Sequence, residues 1–113
     1  MTKTRWPDSW REELILQTIQ DNLKKTWCPD WIYHAEPCTH REDSDGRDIK
    51  VHTDVGKLYV QVLKTGQSYQ PWRFKHGHNH DIGLIKVGKM LQKKPKEAWE
   101  RIKGLLTIMR ERE

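Results

Sequence analysis

The stretch from residue 45 to 66 constrains the fold more than any other part of the chain, because it has the pattern of a β-hairpin. Two apolar, β-branched runs, Ile49–Val51 and Leu58–Leu63, flank the segment Thr53–Gly56, which ends in a glycine. Short apolar strands on either side of such turn-forming residues are typical of a hairpin. The sequence therefore predicts two antiparallel strands joined by a tight turn.

The residues at the open end of this hairpin are of the kinds that a metal-dependent phosphodiesterase uses. Asp45 and Asp48 lie at the start of the first strand, and Gln61 and Lys64 lie late in the second. Carboxylate oxygens bind Mg²⁺, and a lysine ammonium group stabilises negative charge that develops on a phosphate. The hairpin is therefore a candidate site for phosphodiester chemistry.

The same residues resemble the active-site segment of the PD-(D/E)XK nucleases, and among them the Mrr-type restriction endonucleases and resolvase-like enzymes. The segment D-G-R-D-I at residues 45–49 is similar to the family's D-G-G-x-D-hydrophobic run. The segment V-Q-V-L-K at residues 60–64 resembles the strand that ends Q-x-K or E-x-K. The resemblance covers about a fifth of the chain.

The resemblance implies a nuclease that depends on Mg²⁺ or Mn²⁺ and acts on DNA. It implies Asp48 as the principal metal ligand, Gln61 at the second acidic position and Lys64 as the catalytic lysine, with Glu13 or Asp45 as an auxiliary carboxylate. Gln61 offers a carbonyl oxygen without a charge, so it should bind metal more weakly than a glutamate. Nucleases of this type often work as dimers, since cutting two strands takes two sites, so a homodimer is a further expectation.

The sequence departs from the family pattern at two positions. One residue is missing between Gly46 and Asp48, and Leu63 is an extra residue between Gln61 and Lys64. Alternate residues of a strand face opposite sides of a sheet. We therefore expect Gln61 and Lys64 to face apart unless a β-bulge re-aims one of them.

The distribution of charge favours an anionic partner. The 113 residues carry a formal net charge of +5. A chain of this length is enough for one small domain, which is predicted to span residues 1–113 with an N-terminal arm over residues 1–7. Residues 1–54 hold 8 Lys/Arg against 11 Asp/Glu, whereas residues 55–113 hold 13 against 5. An acidic centre beside a basic flank suits a metal site next to a phosphate-binding surface, and the resemblance to the nucleases implies DNA rather than RNA as the partner. An ordinary solvated basic surface remains the alternative.

The predicted contacts with nucleic acid lie in the basic half of the chain. Residues 67–75 interleave aromatic and basic side chains, which suits base stacking and phosphate binding, although these aromatics could instead close a small core. The histidines of residues 76–81 are expected in a hydrated loop or at the mouth of the site. The HNH nuclease pattern is spread over a ββα element, so it does not apply to the tripeptide at 78–80. The predicted contacts are Arg73, Lys75, His78, His80, Lys86, Lys89, Lys93 and Lys94.

Periodicity outside the hairpin predicts an α+β fold of the α/β-sandwich type. Apolar residues at helical spacing predict helices over residues 10–25 and 96–111. Residues 31–34 have the composition of a strand that leads into a polar loop, and residues 82–93 are compatible with a strand or a helix. The expected architecture is a small mixed β-sheet with a central hairpin, flanked by an N-terminal and a C-terminal helix.

Two acidic residues open the first predicted helix. Ser9 and Glu12 have the S-x-x-E spacing of a capping box, so Glu12 is expected to be a solvated cap. Glu13 is then the candidate for the acidic residue that many PD-(D/E)XK nucleases carry on their first helix.

Four possible zinc ligands fall within one short segment: Cys28, His34, Cys38 and His40. Their spacing matches no standard zinc knuckle, because no C-x₂₋₄-C pair is present. Separate thiols and surface imidazoles are expected instead.

The sequence shows no signal peptide and no apolar run long enough to cross a membrane, so a cytoplasmic location is expected. The alternative to a nuclease is a non-catalytic, basic module of phage or mobile-element type that binds nucleic acid or masks a nucleic-acid-binding partner.

Overall fold

A computed structural model describes residues 10–39, 48–64 and 82–112. They form helices and a four-stranded mixed sheet, which confirms the predicted α+β class. In chain order the elements are α1 (Trp10–Asn22), β1 (Ile32–Pro37), β2 (Ile49–Thr53), β3 (Gly56–Lys64), β4 (Ile82–Val87), the short α2 (Lys89–Gln92) and α3 (Pro95–Glu111).

The strands lie side by side in the order in which they follow along the chain. β1 pairs with β2 and β2 pairs with β3, both antiparallel, whereas β3 and β4 are parallel. The predicted hairpin is therefore present as β2 and β3, with register from Ile49↔Val60 to Thr53↔Gly56. It occupies the centre of the sheet.

The hairpin turn follows the chemistry of its residues. Gly56 has a φ angle of 104°, a conformation that L-residues with a side chain rarely adopt. The Thr53 hydroxyl donates a hydrogen bond to the Gly56 carbonyl (2.7 Å) and accepts one from the Val55 N–H (3.3 Å). Local sequence thus determines where the two strands reverse.

The main core lies between the sheet and the two long helices. α1 and α3 pack against each other, and both contact the sheet. On β2 and β3 the alternate residues Ile49, Val51, Leu58 and Val60 are buried in this core, as strand geometry requires for one face of a sheet. The helices contribute further buried apolar residues, among them Ile15, Ile19, Ile102, Leu106 and Met109.

The end of α3 is joined to the hairpin turn by Arg110. Its guanidinium donates two hydrogen bonds to the Asp54 carboxylate (2.9 and 2.6 Å) and lies over the Trp31 ring at 4.9 Å. This ion pair with Arg110 holds the pKa of Asp54 below its ordinary value, chiefly through the side-chain hydrogen bonds. The bidentate geometry fixes the helix end relative to the hairpin.

Two sequence expectations need correction or completion. The polar loop predicted from Ala35 is wrong in its first residues, because β1 continues to Pro37 and Ala35 is buried opposite Val51. Residues 82–93 contain both of the alternatives, with strand β4 followed by the short helix α2. Buried and half-buried residues alternate along β4, which is why the sequence of residues 82–87 was compatible with a strand as well as with a helix.

Candidate metal site at the start of the hairpin

Asp48 lies immediately before β2, and its backbone groups form hydrogen bonds both to β3 and to the residue that follows β1. Its N–H donates to the Val60 carbonyl (3.1 Å), and its carbonyl accepts from the Cys38 N–H (3.0 Å). In a regular strand the two backbone groups of one residue point to the same neighbour. At Asp48 they point to β3 and to the end of β1, so the backbone is locally irregular.

The side chain of Asp48 is held by β3. Asp48 is only 6% exposed, and its Oδ2 accepts a hydrogen bond from the Val62 N–H at 2.8 Å. A backbone N–H donating to a carboxylate makes a strong, charge-assisted hydrogen bond. The carboxylate therefore lies in a fixed position beside the residue that follows Gln61.

Gln61 carries a buried oxygen with no hydrogen-bond partner. Its Oε1 is buried and accepts no hydrogen bond in the described structure. Buried side-chain oxygens without a partner are rare and cost about 1–3 kcal/mol each. The Asp48 N–H bonds to Val60, which is already the partner of Ile49, so Asp48 and Ile49 both lie opposite Val60, the residue before Gln61, as in a β-bulge.

The carboxylate of Asp48 and the amide oxygen of Gln61 are chemically suited to Mg²⁺ or Mn²⁺. Both are hard oxygen donors, which Mg²⁺ prefers, and Mg²⁺ usually keeps several of its waters. In the described ranges, no set of three or more His, Cys, Asp or Glu side chains is arranged to hold a metal ion. Of the three predicted metal ligands, Asp48 and Gln61 lie in the described residues, and Asp45 lies outside them.

Lys64 lies on the other face of the sheet from Gln61. β3 and β4 pair without a register shift from Tyr59↔Ile82 to Lys64↔Val87. The β-bulge that would re-aim Lys64 is therefore not present in this pairing, and alternation separates it from Gln61. Lys86 pairs with Leu63, so it lies on the same face as Gln61.

The burial of the two acidic residues of α1 is the reverse of what the sequence predicts. Glu12 is only 7% exposed, whereas Glu13 is exposed. The interpretation of Glu12 as a solvated cap is therefore wrong, and Ser9, its predicted partner, lies outside the described residues. The spacing of Glu12 from Ile15 and Ile19 already places all three on one side of a helix. This stripe is the signal that sequence reasoning missed.

A charged cluster on β1 and β2 was also not foreseen. Glu36 lies 3.3 Å from His34 and 3.2 Å from His52 through Oε2, and 3.7 Å from the ammonium of Lys50 through Oε1. The two imidazole rings stack at 5.5 Å between centroids. Antiparallel pairing brings these residues together, because His34 lies opposite His52 and Glu36 opposite Lys50. The cluster is a cross-strand ion-pair network.

The three candidate zinc ligands within the described residues, Cys28, His34 and Cys38, do not form a group that could hold a metal ion. Cys28 lies before β1 and Cys38 after it, so the strand between them, at about 3.3 Å per residue, separates the two by roughly 20 Å. Burial raises the pKa of the Cys28 thiol, which disfavours the thiolate that zinc requires. His34 contacts Glu36, and His40 lies outside the described residues.

The residues predicted to contact nucleic acid divide into two groups. Lys86 lies on β4, and Lys89, Lys93 and Lys94 are exposed in and after α2. The other four, Arg73, Lys75, His78 and His80, lie outside the described residues.

Comparison with known proteins does not assign the chain to a family. No protein-family model matches it, and neither curated proteins nor solved structures gave a significant match. Within the described ranges, none of the helices has the length and apolar character needed to span a membrane. Functional inference therefore rests on the residues themselves.

Proposed function

We propose that this protein is a metal-dependent, nuclease-like domain that acts on DNA phosphodiesters. The observations that carry the proposal are the unpartnered, buried Oε1 of Gln61 and the Asp48 carboxylate that accepts a hydrogen bond from the N–H of the next residue, Val62. A divalent cation bound by these two residues would satisfy the Gln61 oxygen, and the Asp48 carboxylate would supply a charged ligand.

Each residue has a distinct role in this proposal. Asp48 is the charged ligand, and its bond to Val62 orients the carboxylate before any metal binds. Gln61 supplies a neutral oxygen. A bound Mg²⁺ or Mn²⁺ would polarise the phosphate and lower the pKa of a coordinated water. Lys86 shares the face of Gln61 and in this proposal binds the phosphate, a role that the resemblance to the nucleases implies for Lys64.

The roles of the two acidic residues of α1 also change in this proposal. Glu12 lies on the side of α1 that packs towards the sheet, and α1 contacts both β1 and β3. Glu13 is exposed. Glu12 is therefore the buried carboxylate of α1, and it lies on the helix-covered face of the sheet. Alternation gives that face to Lys64 and not to Gln61, so neither α1 carboxylate is assigned as a ligand beside Gln61.

The proposal is tested by cleavage of labelled single-stranded, duplex and branched DNA, and of RNA, with Mg²⁺ or Mn²⁺. Asp48→Asn keeps an oxygen for the Val62 N–H but removes the charge, so it should reduce cleavage at least about 100-fold while the protein stays folded. Asp54→Asn is the matched control, since Asp54 lies at the turn end of the same hairpin and should leave cleavage unchanged. Equal cleavage by the wild type and Asp48→Asn would exclude Asp48 as a metal ligand.

A second pair of variants separates the two lysines. Lys86→Gln should weaken cleavage more than Lys64→Gln, because only Lys86 shares a face with Gln61. The reverse order would show that the site lies on the face of Lys64. Circular dichroism of each variant checks that the fold is retained.

The opposite-face position of Lys64 favours a second candidate function, a non-catalytic module that binds nucleic acid. In that case the protein shifts DNA or RNA in a gel without cutting it, and Asp48→Asn has no effect on binding. Charge-removing substitutions in residues 86–103 would then lower both the affinity and its dependence on salt.

A further inference from the structure

A pocket of about 440 Å³ lies between the end of α1 and the first half of α3. Its lining is mainly apolar and includes Trp27, Trp99 and Pro95, with Asn22, Lys96, Glu100 and Lys103 at its polar positions. Its volume is within the range of about 300–1,000 Å³ that is usual for small-molecule sites. The proposed metal site does not use any of these residues.

Trp27 is exposed but held in one orientation. Its side chain is 59% exposed, although large aromatic residues normally bury most of their surface. Its indole N–H donates to Asn22 Oδ1 at 2.7 Å, and Asn22 Nδ2 donates to the Thr18 carbonyl at 2.8 Å. Asn22 thus connects the indole to α1. An exposed ring that is already oriented loses little conformational freedom when a ligand stacks on it.

Trp99 forms the inner side of the same pocket. It is 4% exposed, and its indole N–H is buried without an acceptor in the described part of the chain. Since this N–H is closed to solvent, a ligand in the pocket contacts the apolar surface of the Trp99 ring and does not reach the N–H. The pocket therefore offers aromatic surface from both Trp27 and Trp99.

The charge around the pocket is positive. Lys96 is exposed and forms no ion pair with the described residues, and the Lys25 ammonium lies 5.8 Å from the centre of the Trp27 ring. Lys103 contacts Glu100 at 3.1 Å, so one of the three lysines is neutralised locally. The remaining positive charge complements an anionic ligand that also carries a flat apolar surface.

We propose that this pocket binds a base of single-stranded DNA. The base stacks on Trp27 and rests against the ring of Trp99, and the neighbouring phosphates lie near Lys96 and Lys25. Exposed indoles and lysines together are the usual means of holding a single strand. A duplex does not offer a free base face, because its bases stack on one another. The site is independent of the proposed metal site, since it requires no divalent ion.

Fluorescence anisotropy of a short labelled oligo(dT) in EDTA tests this binding without any contribution from cleavage. Trp27→Ala should weaken binding about tenfold or more, and Trp27→Phe should stay within about threefold of the wild type, because phenylalanine still stacks. Tyr33→Ala is the matched control, since Tyr33 is an aromatic residue on β1 with the same 59% exposure. It should leave the affinity unchanged.

Two further measurements test the positioning of the ring and the charges. Asn22→Ala should weaken binding less than Trp27→Ala does, because the ring remains but is no longer oriented. Lys96→Gln should lower the slope of log affinity against log salt by about 0.7, the value for one lost phosphate contact on a single strand. Lys57→Gln, at an exposed position near the hairpin turn, should leave the slope unchanged.

Several results would overturn the proposal. Unchanged affinity in Trp27→Ala, or an equal loss in Tyr33→Ala, would exclude a stacking role for Trp27. Competition by free dTMP as effective as that of the oligonucleotide would show a mononucleotide site instead of a strand site. Loss of self-association in Trp27→Ala without loss of DNA affinity, measured by sedimentation, would show that the pocket binds a second copy of the chain. None of these results depends on whether the protein cuts DNA.

Discussion

Replacing Gln61 with methionine should stabilise the protein and weaken its metal binding at the same time. Methionine has nearly the length of glutamine but lacks the amide oxygen that is buried without a partner. Such an oxygen costs about 1–3 kcal/mol. Only the oxygen of this amide is without a partner, and the substitution also removes the amide NH₂ group. We therefore expect the free energy of unfolding to rise by about 1 kcal/mol, the lower end of this range.

This gain can be measured by thermal unfolding. For a domain of this size, 1 kcal/mol corresponds to a rise of roughly 4 °C in Tm without added metal. Gln17→Met is the matched control, because Gln17 is exposed and donates to Asp21 at 2.8 Å. That variant should not be stabilised.

The same scans with Mg²⁺ or Mn²⁺ test the metal site. A ligand that binds only the folded state raises its stability, by about 2.7 kcal/mol at a concentration 100 times its Kd. The wild type should therefore gain more from the ion than Gln61→Met does. The reasoning would be refuted if Gln61→Met lowered Tm, or if the ion stabilised the variant as much as the wild type.

Three further predictions concern the frame around the site. Asp48→Ala should lower stability by about 1.5–3 kcal/mol in urea unfolding, because a backbone N–H loses its charged acceptor, and Asp48→Asn should recover most of the loss; equal losses in the two variants would contradict this. Gly83→Ala on β4 should destabilise the fold by about 1–3 kcal/mol, because the new Cβ would lie 2.5 Å from the sulfur of Met109 in α3. Gly104→Ala within α3 has open space around its Cβ and should stabilise the fold by about 0.5–1 kcal/mol. Changes of the opposite sign would contradict the packing of β4 on α3. The lowered pKa of Asp54 means that its ion pair stabilises the fold fully above the ordinary value of 3.8 and progressively less as pH falls through the lower folded value. Asp54→Asn should therefore lower Tm at neutral pH, and its difference from the wild type should disappear in strong acid; a constant difference across this range would show that the charge is not the cause.

The sequence by itself determined the elements whose signals are local. The hairpin follows from two β-type runs around a turn that ends in Gly56, and the helix α3 follows from the spacing of its apolar residues. The fold class could be predicted for the same reason. Asp48 and Gln61 were proposed from the resemblance of residues 45–49 and 60–64 to the nuclease motif, and their role as metal ligands stays a prediction.

Only the tertiary structure decided which side chains share a face or a pocket. The pairing of β3 with β4 places Lys86, and not Lys64, with Gln61, and this pairing joins residues far apart in the chain. Packing of α1 on the sheet buries Glu12, and the approach of α1 to α3 brings Trp27 near Trp99. Local patterns specify which residues lie on each side of a strand or helix. Which other strand or helix packs against that element depends on how the chain buries its apolar surface as a whole. That choice is made by the entire chain, so no single segment could reveal it.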